Sequence, residues 1–129
     1  HWLAQAQTLD LTDTTTQMGV LMLEQLVAVL TPEESALLPN YPNPFNPETW
    51  IPYQLSRDAE VTLTIYDANG FTVRRLDLGH QLVGYYSERG KAVHWDGRND
   101  LGESVASGVY FYHLNAGDFS ATRKMLILK

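Results

Sequence analysis

The sequence predicts a mainly β chain, a seven-stranded antiparallel β-sandwich preceded by a short α-helical segment. Three observations predict it. From Trp50 onward apolar residues recur at every second position, most clearly at Val61, Leu63 and Ile65 against Thr62, Thr64 and Tyr66, the period of a half-buried strand. Turn residues interrupt this pattern every eight to twelve residues or so, the spacing of sandwich strands. No helix-length segment separates the strands, which argues against a parallel α/β sheet.

Composition divides the chain. Residues 1–49 hold six acids (Asp10, Asp13, Glu24, Glu33, Glu34 and Glu48) and neither Lys nor Arg. Residues 50–129 hold nine acids and nine bases, so the whole net charge of −6 belongs to the first part. The shift predicts two units, a helical segment over 1–37, read as the tail of an upstream region, and a sandwich over 38–129. The 129 residues, 44% apolar and 11% aromatic, suit one ordinary domain with an appendage. The chain opens on His1 without a signal peptide, so it reads as a fragment, or as a mature or trimmed form of something longer.

His1 to Leu9 reads as the end of a helix, and Asp10 to Asp13 as a polar break. Thr12 or Asp13 caps a second helix through its side-chain oxygen. Met18 to Leu30 has ten apolar residues in thirteen, so that helix is apolar nearly all round and needs a cover. It is shorter than the roughly 20 residues of a membrane span, and no span is expected. Thr31-Pro32-Glu33-Glu34 combines a cap, a first-turn proline and a glutamate, predicting a short helix through about Leu37. Pro39, Pro42, Pro44 and Pro47 then forbid helix and most pairing, so this arm is expected to lie extended on the next unit.

The strands follow in order. Ile51, Tyr53 and Leu55 alternate with Trp50, Pro52 and Gln54, and Pro52 implies a sheet edge. Val61–Tyr66 is the second strand. Asp67-Ala68-Asn69-Gly70 is a hairpin turn, because Asn and Gly tolerate positive φ, and Phe71–Leu76 returns from it. Gly84–Ser87, Lys91–Trp95, Val109–Leu114 and Phe119–Leu128 complete the seven.

The residues exclude several kinds of chemistry. Cysteine is absent, which removes disulfides, zinc–thiolate sites and thiol nucleophiles. Neither part has the basic stripe that nucleic acid requires. Asp96-Gly97-Arg98-Asn99-Asp100 clusters oxygen ligands but departs from the EF-hand spacing, so Asx turns are the preferred reading. His1, His80, His94 and His113 are scattered. His94 and His113 on adjacent strands make a zinc pair conceivable, but a structural site takes four ligands, and solvent-facing strand histidines are preferred. Ser104 and Ser107 have no nucleophile-elbow context, and Asp58 and Glu60 flank a turn. No enzyme, metal or cofactor is expected. Trp50, Tyr85, Tyr86, Trp95, Tyr110, Phe111 and Tyr112 offer a sugar-stacking face as an alternative, against the ordinary use of aromatics in a core.

Four blocks, over about residues 38–129, carry a family resemblance. Pro42-Asn43-Pro44-Phe45-Asn46-Pro47 with Trp50-Ile51-Pro52-Tyr53-Gln54-Leu55 resembles the opening of the C-terminal sorting domains of the type IX secretion system, which are immunoglobulin-like and akin to the flagellar hook-capping domain. Val61 through Val73, with Asp67 and Gly70, is similar to their second block. Trp95-Asp96-Gly97-Arg98-Asn99 and Val105 to Tyr112, with Gly108 and Tyr110, resemble the third, a block that both groups share. Thr122-Arg123-Lys124-Met125-Leu126-Ile127-Leu128-Lys129 resembles the terminal strand.

The resemblance implies a non-catalytic sorting module that carries upstream cargo of the same polypeptide through the periplasm to the cell surface or medium. Its partner is then a secretion translocon or surface-attachment machinery, with Pro42, Asn43, Pro44, Arg123, Lys124, Met125 and Ile127 as recognition residues. Asp67, Gly70, Trp95, Asp96, Gly97, Gly108 and Tyr110 are implied to define the fold. An edge strand offers its backbone for strand addition, and Arg123-Lys124 suits acidic partner residues. The same basic pair also protects an edge against aggregation, and both readings stand. The alternatives are a structural module that self-associates by exchanging its helix and arm, and the carbohydrate face.

Overall fold

A computed structural model describes residues 31–129. The chain divides into two compact units, His1–Glu33 and Glu34–Lys129. The second contains nine strands among the described residues: β1 (Ala36–Leu37), β2 (Thr49–Ile51), β3 (Tyr53–Leu55), β4 (Ala59–Asp67), β5 (Thr72–Gln81), β6 (Gly84–Tyr86), β7 (Val93–Trp95), β8 (Gly108–Ala116) and β9 (Phe119–Ile127). All strand pairings are antiparallel, in the orders β5-β4-β8-β9, β1-β3-β6 and β2-β7.

The nine strands replace the seven expected for two physical reasons. The predicted strand over Trp50–Leu55 breaks at Pro52, which has no N–H to give a ladder. Ile51 pairs with Val93 and Tyr53 with Tyr86, so the chain changes sheets at the proline rather than running along one edge. The short helix expected through Leu37 does not form. Residues 31–35 hold no helix, and Ala36 and Leu37 instead pair with Gln54 and Tyr53. Leu37 is thereby buried, which outweighs the local capping pattern. The helices expected before it, including the one over Met18–Leu30, lie outside the described residues.

The long hairpins follow the alternation. Val61, Leu63 and Ile65 of β4 are fully buried, as are Tyr112 and Leu114 of β8 and Ile127 of β9. Tyr110 of β8 and Met125 of β9 belong to the same core, joined by Tyr53 and Leu55 of β3 and Trp95 of β7. β5 runs to Gln81 rather than stopping near Leu76. Val61 pairs with Gly79 and Thr62 with Asp77, so Leu78 is bulged, and Gly79 at φ +73° lets the strand absorb it and continue.

The Pro-rich arm between β1 and β2 is not extended as expected but bent at residues 42–44 and 46–47, with cis bonds at Tyr41–Pro42, Asn43–Pro44 and Asn46–Pro47, and it loops back so that Tyr41 and Trp50 exchange backbone hydrogen bonds. It is more than a surface layer. Phe45 enters the core at 2% exposure and meets Trp95 edge-on at 5.7 Å.

Candidate recognition surface

Three segments meet along one flank of the sandwich: the arm, the final strand β9, and the turn after β7. Because β8 and β9 pair without a register shift, backbone direction alternates strictly along β9. The Leu126 N–H donates to Asn43 Oδ1 at 3.1 Å, and its carbonyl accepts from Phe45 N at 3.0 Å. Leu126 therefore faces away from β8. By parity so do Ser120, Thr122 and Lys124, while Ala121, Arg123 and Met125 bond β8. Leu128 N also donates to the Phe45 carbonyl. The arm thus covers β9 over Leu126–Leu128.

The expected recognition residues are divided by this geometry. Pro42, Asn43, Pro44, Arg123 and Lys124 are exposed. Met125 and Ile127 are core residues at 1% and 0% exposure. Arg123 reaches across to the other sheet, where its Nε donates to the Leu37 carbonyl at 2.6 Å. The Pro42 carbonyl accepts from Thr49 Oγ1 and Asn40 Nδ2, which holds the start of the arm.

The residues implied to define the fold have distinct tasks. Asp67 Oδ1 accepts from the N–H groups of Asn69 and Phe71, and Gly70 takes φ +86°, so this turn closes on its own side chain. Trp95 is 1% exposed. Its Nε1 donates to the Arg98 carbonyl at 2.9 Å, and Tyr110 packs on its ring at 6.0 Å. The Tyr110 hydroxyl donates to the Ala106 carbonyl, and Gly108 opens β8 opposite Ile127.

The loop after Trp95 is bound by hydrogen bonds to its own backbone. Asp96 Oδ1 accepts from Arg98 N, and Asn99 Oδ1 from the N–H groups of Leu101 and Glu103. Asp96 and Asp100 both face Arg74, at 3.4 and 3.7 Å. Asp100 N donates to the Val73 carbonyl, and Asp100 Oδ1 accepts from Arg75 N. This loop covers the outer edge of β5. Among the described residues no group of three or more His, Asp or Glu side chains could hold a metal.

His94 and His113 do not come together. His94 lies on β7 beside Trp50 and bonds Glu48 at 2.7 Å, while His113 lies on β8 and bonds Thr122. The proposed aromatic face is also dispersed. Trp95, Tyr110 and Tyr112 are interior, Tyr86 stacks on Tyr53 at 4.7 Å, and Arg89 covers the Trp50 ring at 4.2 Å.

Two structural residues escaped the sequence reading. Phe45 stands alone among prolines, outside any periodicity, and its being the one large apolar residue of that run is the signal that marks it. Tyr112 looked like generic core. Its hydroxyl accepts from Asn40 N at 3.0 Å and donates to the Leu38 carbonyl at 2.7 Å, tying the start of the arm to β8. Burial pushes this phenol up to about 12, against the Asn40 N–H and the Arg123 charge, which lower it.

One solved structure supports the same architecture. The crystal structure of dimeric latent PorU from Porphyromonas gingivalis superposes with a TM-score of 0.53 and 22% identity, over 73% of this chain and 9% of that one. PorZ, described as an essential surface component of the type-IX secretion system of the same organism, gives 0.49 and 22%, over 73% and 12%. FlgD from Pseudomonas aeruginosa gives 0.44 and 24%, over 57% and 54%. The chain thus spans only a small part of the two Porphyromonas proteins. No curated protein matches it. The family model described as the FlgD Ig-like domain matches residues 47–118, from the end of the arm through the β8–β9 turn. With more than half of its length matched, this chain belongs to the FlgD Ig-like domain family.

Proposed function

We propose that this Ig-like module is a non-catalytic C-terminal sorting domain, read by type IX secretion machinery or by the apparatus that attaches cargo to the cell surface. The segment ahead of the sandwich then belongs to an upstream region of the exported polypeptide. One observation carries the reading. The strand that resembles the family's terminal block is an edge of the four-stranded sheet, with Lys124 in solvent and Met125 and Ile127 anchoring it in the core. A translocon that accepts unrelated cargoes needs a constant folded tag, and a core-anchored edge strand supplies one. The four sequence blocks, in family order, support the same reading, and so do the arm residues Pro42, Asn43 and Pro44, which lie exposed beside that strand.

The test is a fusion of the whole chain to the C-terminus of a periplasmically exported fluorescent protein, in a host with a working type IX system. The intact fusion is expected at the surface or in the medium. Lys124→Glu, which touches no core contact, is expected to lower that fraction while the domain stays folded. Retention of a folded intact fusion in the periplasm would remove the proposal. Deleting Thr122–Lys129 is a poorer control, because it strips Met125 and Ile127 from the core.

A further inference from the structure

The two outer edges of the four-stranded sheet are not alike. β5 is covered by the loop after Trp95 through Asp100, at Val73 and Arg75, and it bulges at Leu78 farther along. Among the described residues β9 is covered only at its end, where Asn43 and Phe45 take the Leu126 and Leu128 groups. Between the β8–β9 turn and that cover, the outward N–H and C=O groups of Ser120, Thr122 and Lys124 have no partner among the described residues. All three residues are exposed. An unpaired row of this kind is a template for another strand.

Charge indicates which strand. Residues 119–129 contain Arg123, Lys124 and Lys129 and no Asp or Glu, the nearest carboxylate in sequence being Asp118 in the turn. Lys124 has no ion pair among the described residues. Arg123 spends its Nε on the Leu37 carbonyl, and its Nη groups have no hydrogen-bond or carboxylate partner among the described residues. Arg123 and Lys124 lie on opposite faces of β9, so a strand added alongside meets a cation on each face.

We propose that the Ser120–Lys124 edge of β9 receives an extended, acidic peptide segment of a partner protein by strand addition. The added strand pairs with the outward groups of Ser120, Thr122 and Lys124, and its carboxylates meet Lys124 on one face and Arg123 on the other. It must stop short of Leu126, where Phe45 already occupies the edge. This deepens the sorting reading by naming the chemistry of the partner, and it rests on that reading only for its biological setting.

The experiment follows backbone amide exchange and amide chemical shifts in the full 129-residue chain titrated with an alternating Glu-Val peptide. Protection of the Thr122 and Lys124 amides is expected, with the Leu126 amide unchanged. Two further probes are a Lys-Val peptide and a Glu-Val peptide N-methylated at alternate residues, and both are expected to bind about tenfold more weakly or worse. Thr122→Pro removes one outward donor while keeping the backbone ladder to β8, and is expected to cost about tenfold; Thr122→Val, which loses the same side-chain bond to His113 but keeps the donor, is expected to bind as the parent does. Lys124→Glu tests charge with every backbone group kept. Equal binding of the methylated peptide, or no protection at Thr122 and Lys124, overturns the proposal. Protection that grows with chain concentration in the absence of peptide also overturns it, in favour of a second copy at this edge. A chain that is secreted but binds no peptide loses only the pairing; one that binds peptide but stays in the periplasm loses only the sorting role.

Discussion

A Cβ placed on Gly97 would lie 2.5 Å from the carbonyl oxygen of Pro47, and Gly97 itself holds φ at +77°. The arm and the turn after Trp95 therefore meet backbone to backbone, with no space for a side chain. Gly70 is the natural comparison, since its φ of +86° is similar but nothing lies within 4 Å of its absent Cβ. Gly97→Ala is expected to cost about 2–4 kcal/mol, the left-handed penalty plus overpacking against rigid backbone. Gly70→Ala should cost only about 1–2 kcal/mol. Denaturant unfolding of the two side by side checks the difference, and equal losses would show that the Pro47 contact contributes nothing.

Phe45 pins the arm. Its ring is 2% exposed, so Phe45→Ala is expected to destabilise the domain by about 3–5 kcal/mol. The effect should also be local. Leu126 and Leu128 owe their outward hydrogen bonds to Asn43 and Phe45, so in the variant their amides should exchange faster relative to those of β4. Uniform acceleration across the sandwich would show that Phe45 acts only as core volume.

The Tyr112 hydroxyl joins Asn40 and Leu38 to β8. Tyr112→Phe keeps the ring and removes both bonds, leaving the Asn40 N–H and the Leu38 carbonyl short of a partner. About 1–3 kcal/mol should be lost, measurable as a shift in the urea midpoint with the slope unchanged.

Alkaline pH should act through the same phenol. Burial pushes Tyr112 up to about 12. Burial likewise raises Tyr53, with Tyr86 adding to it, and Tyr110, with Asp67 adding to it. A group whose folded pKa exceeds its unfolded value near 10 stabilises the fold only while protonated. The contribution is complete below about pH 10 and is lost as pH rises toward about 12. Stability should hold across neutral pH and fall over that window, together with the rise in phenolate absorbance. Tyr112→Phe should make the fall shallower, and an unchanged slope would assign it to the other tyrosines.

Alternation at Val61–Ile65, the Asp67–Gly70 turn and the spacing of turn residues determined by themselves that the chain is an antiparallel β domain, because a strand's side-chain period is a local property of the backbone. The Asx turns at Asp96 and Asn99 were equally legible, since each side chain bonds its own neighbours. The segment that leads into the arm was not. Whether Leu37 ends a helix or joins a sheet depends on Tyr53 and Gln54 waiting across the gap, and the pairing won because it buries Leu37. Pro52 announced a sheet edge, but only the positions of Val93 and Tyr86 decided that the strand changes sheets there. The candidate surface divides in the same way. Lys124 and the basic end of the chain can be read from the sequence. That Met125 and Ile127 are core, that Arg123 reaches Leu37, and that Asn43 and Phe45 cover one end of β9 while Ser120–Lys124 has no strand beside it among the described residues were decided by contacts between residues some eighty positions apart, which no local pattern encodes.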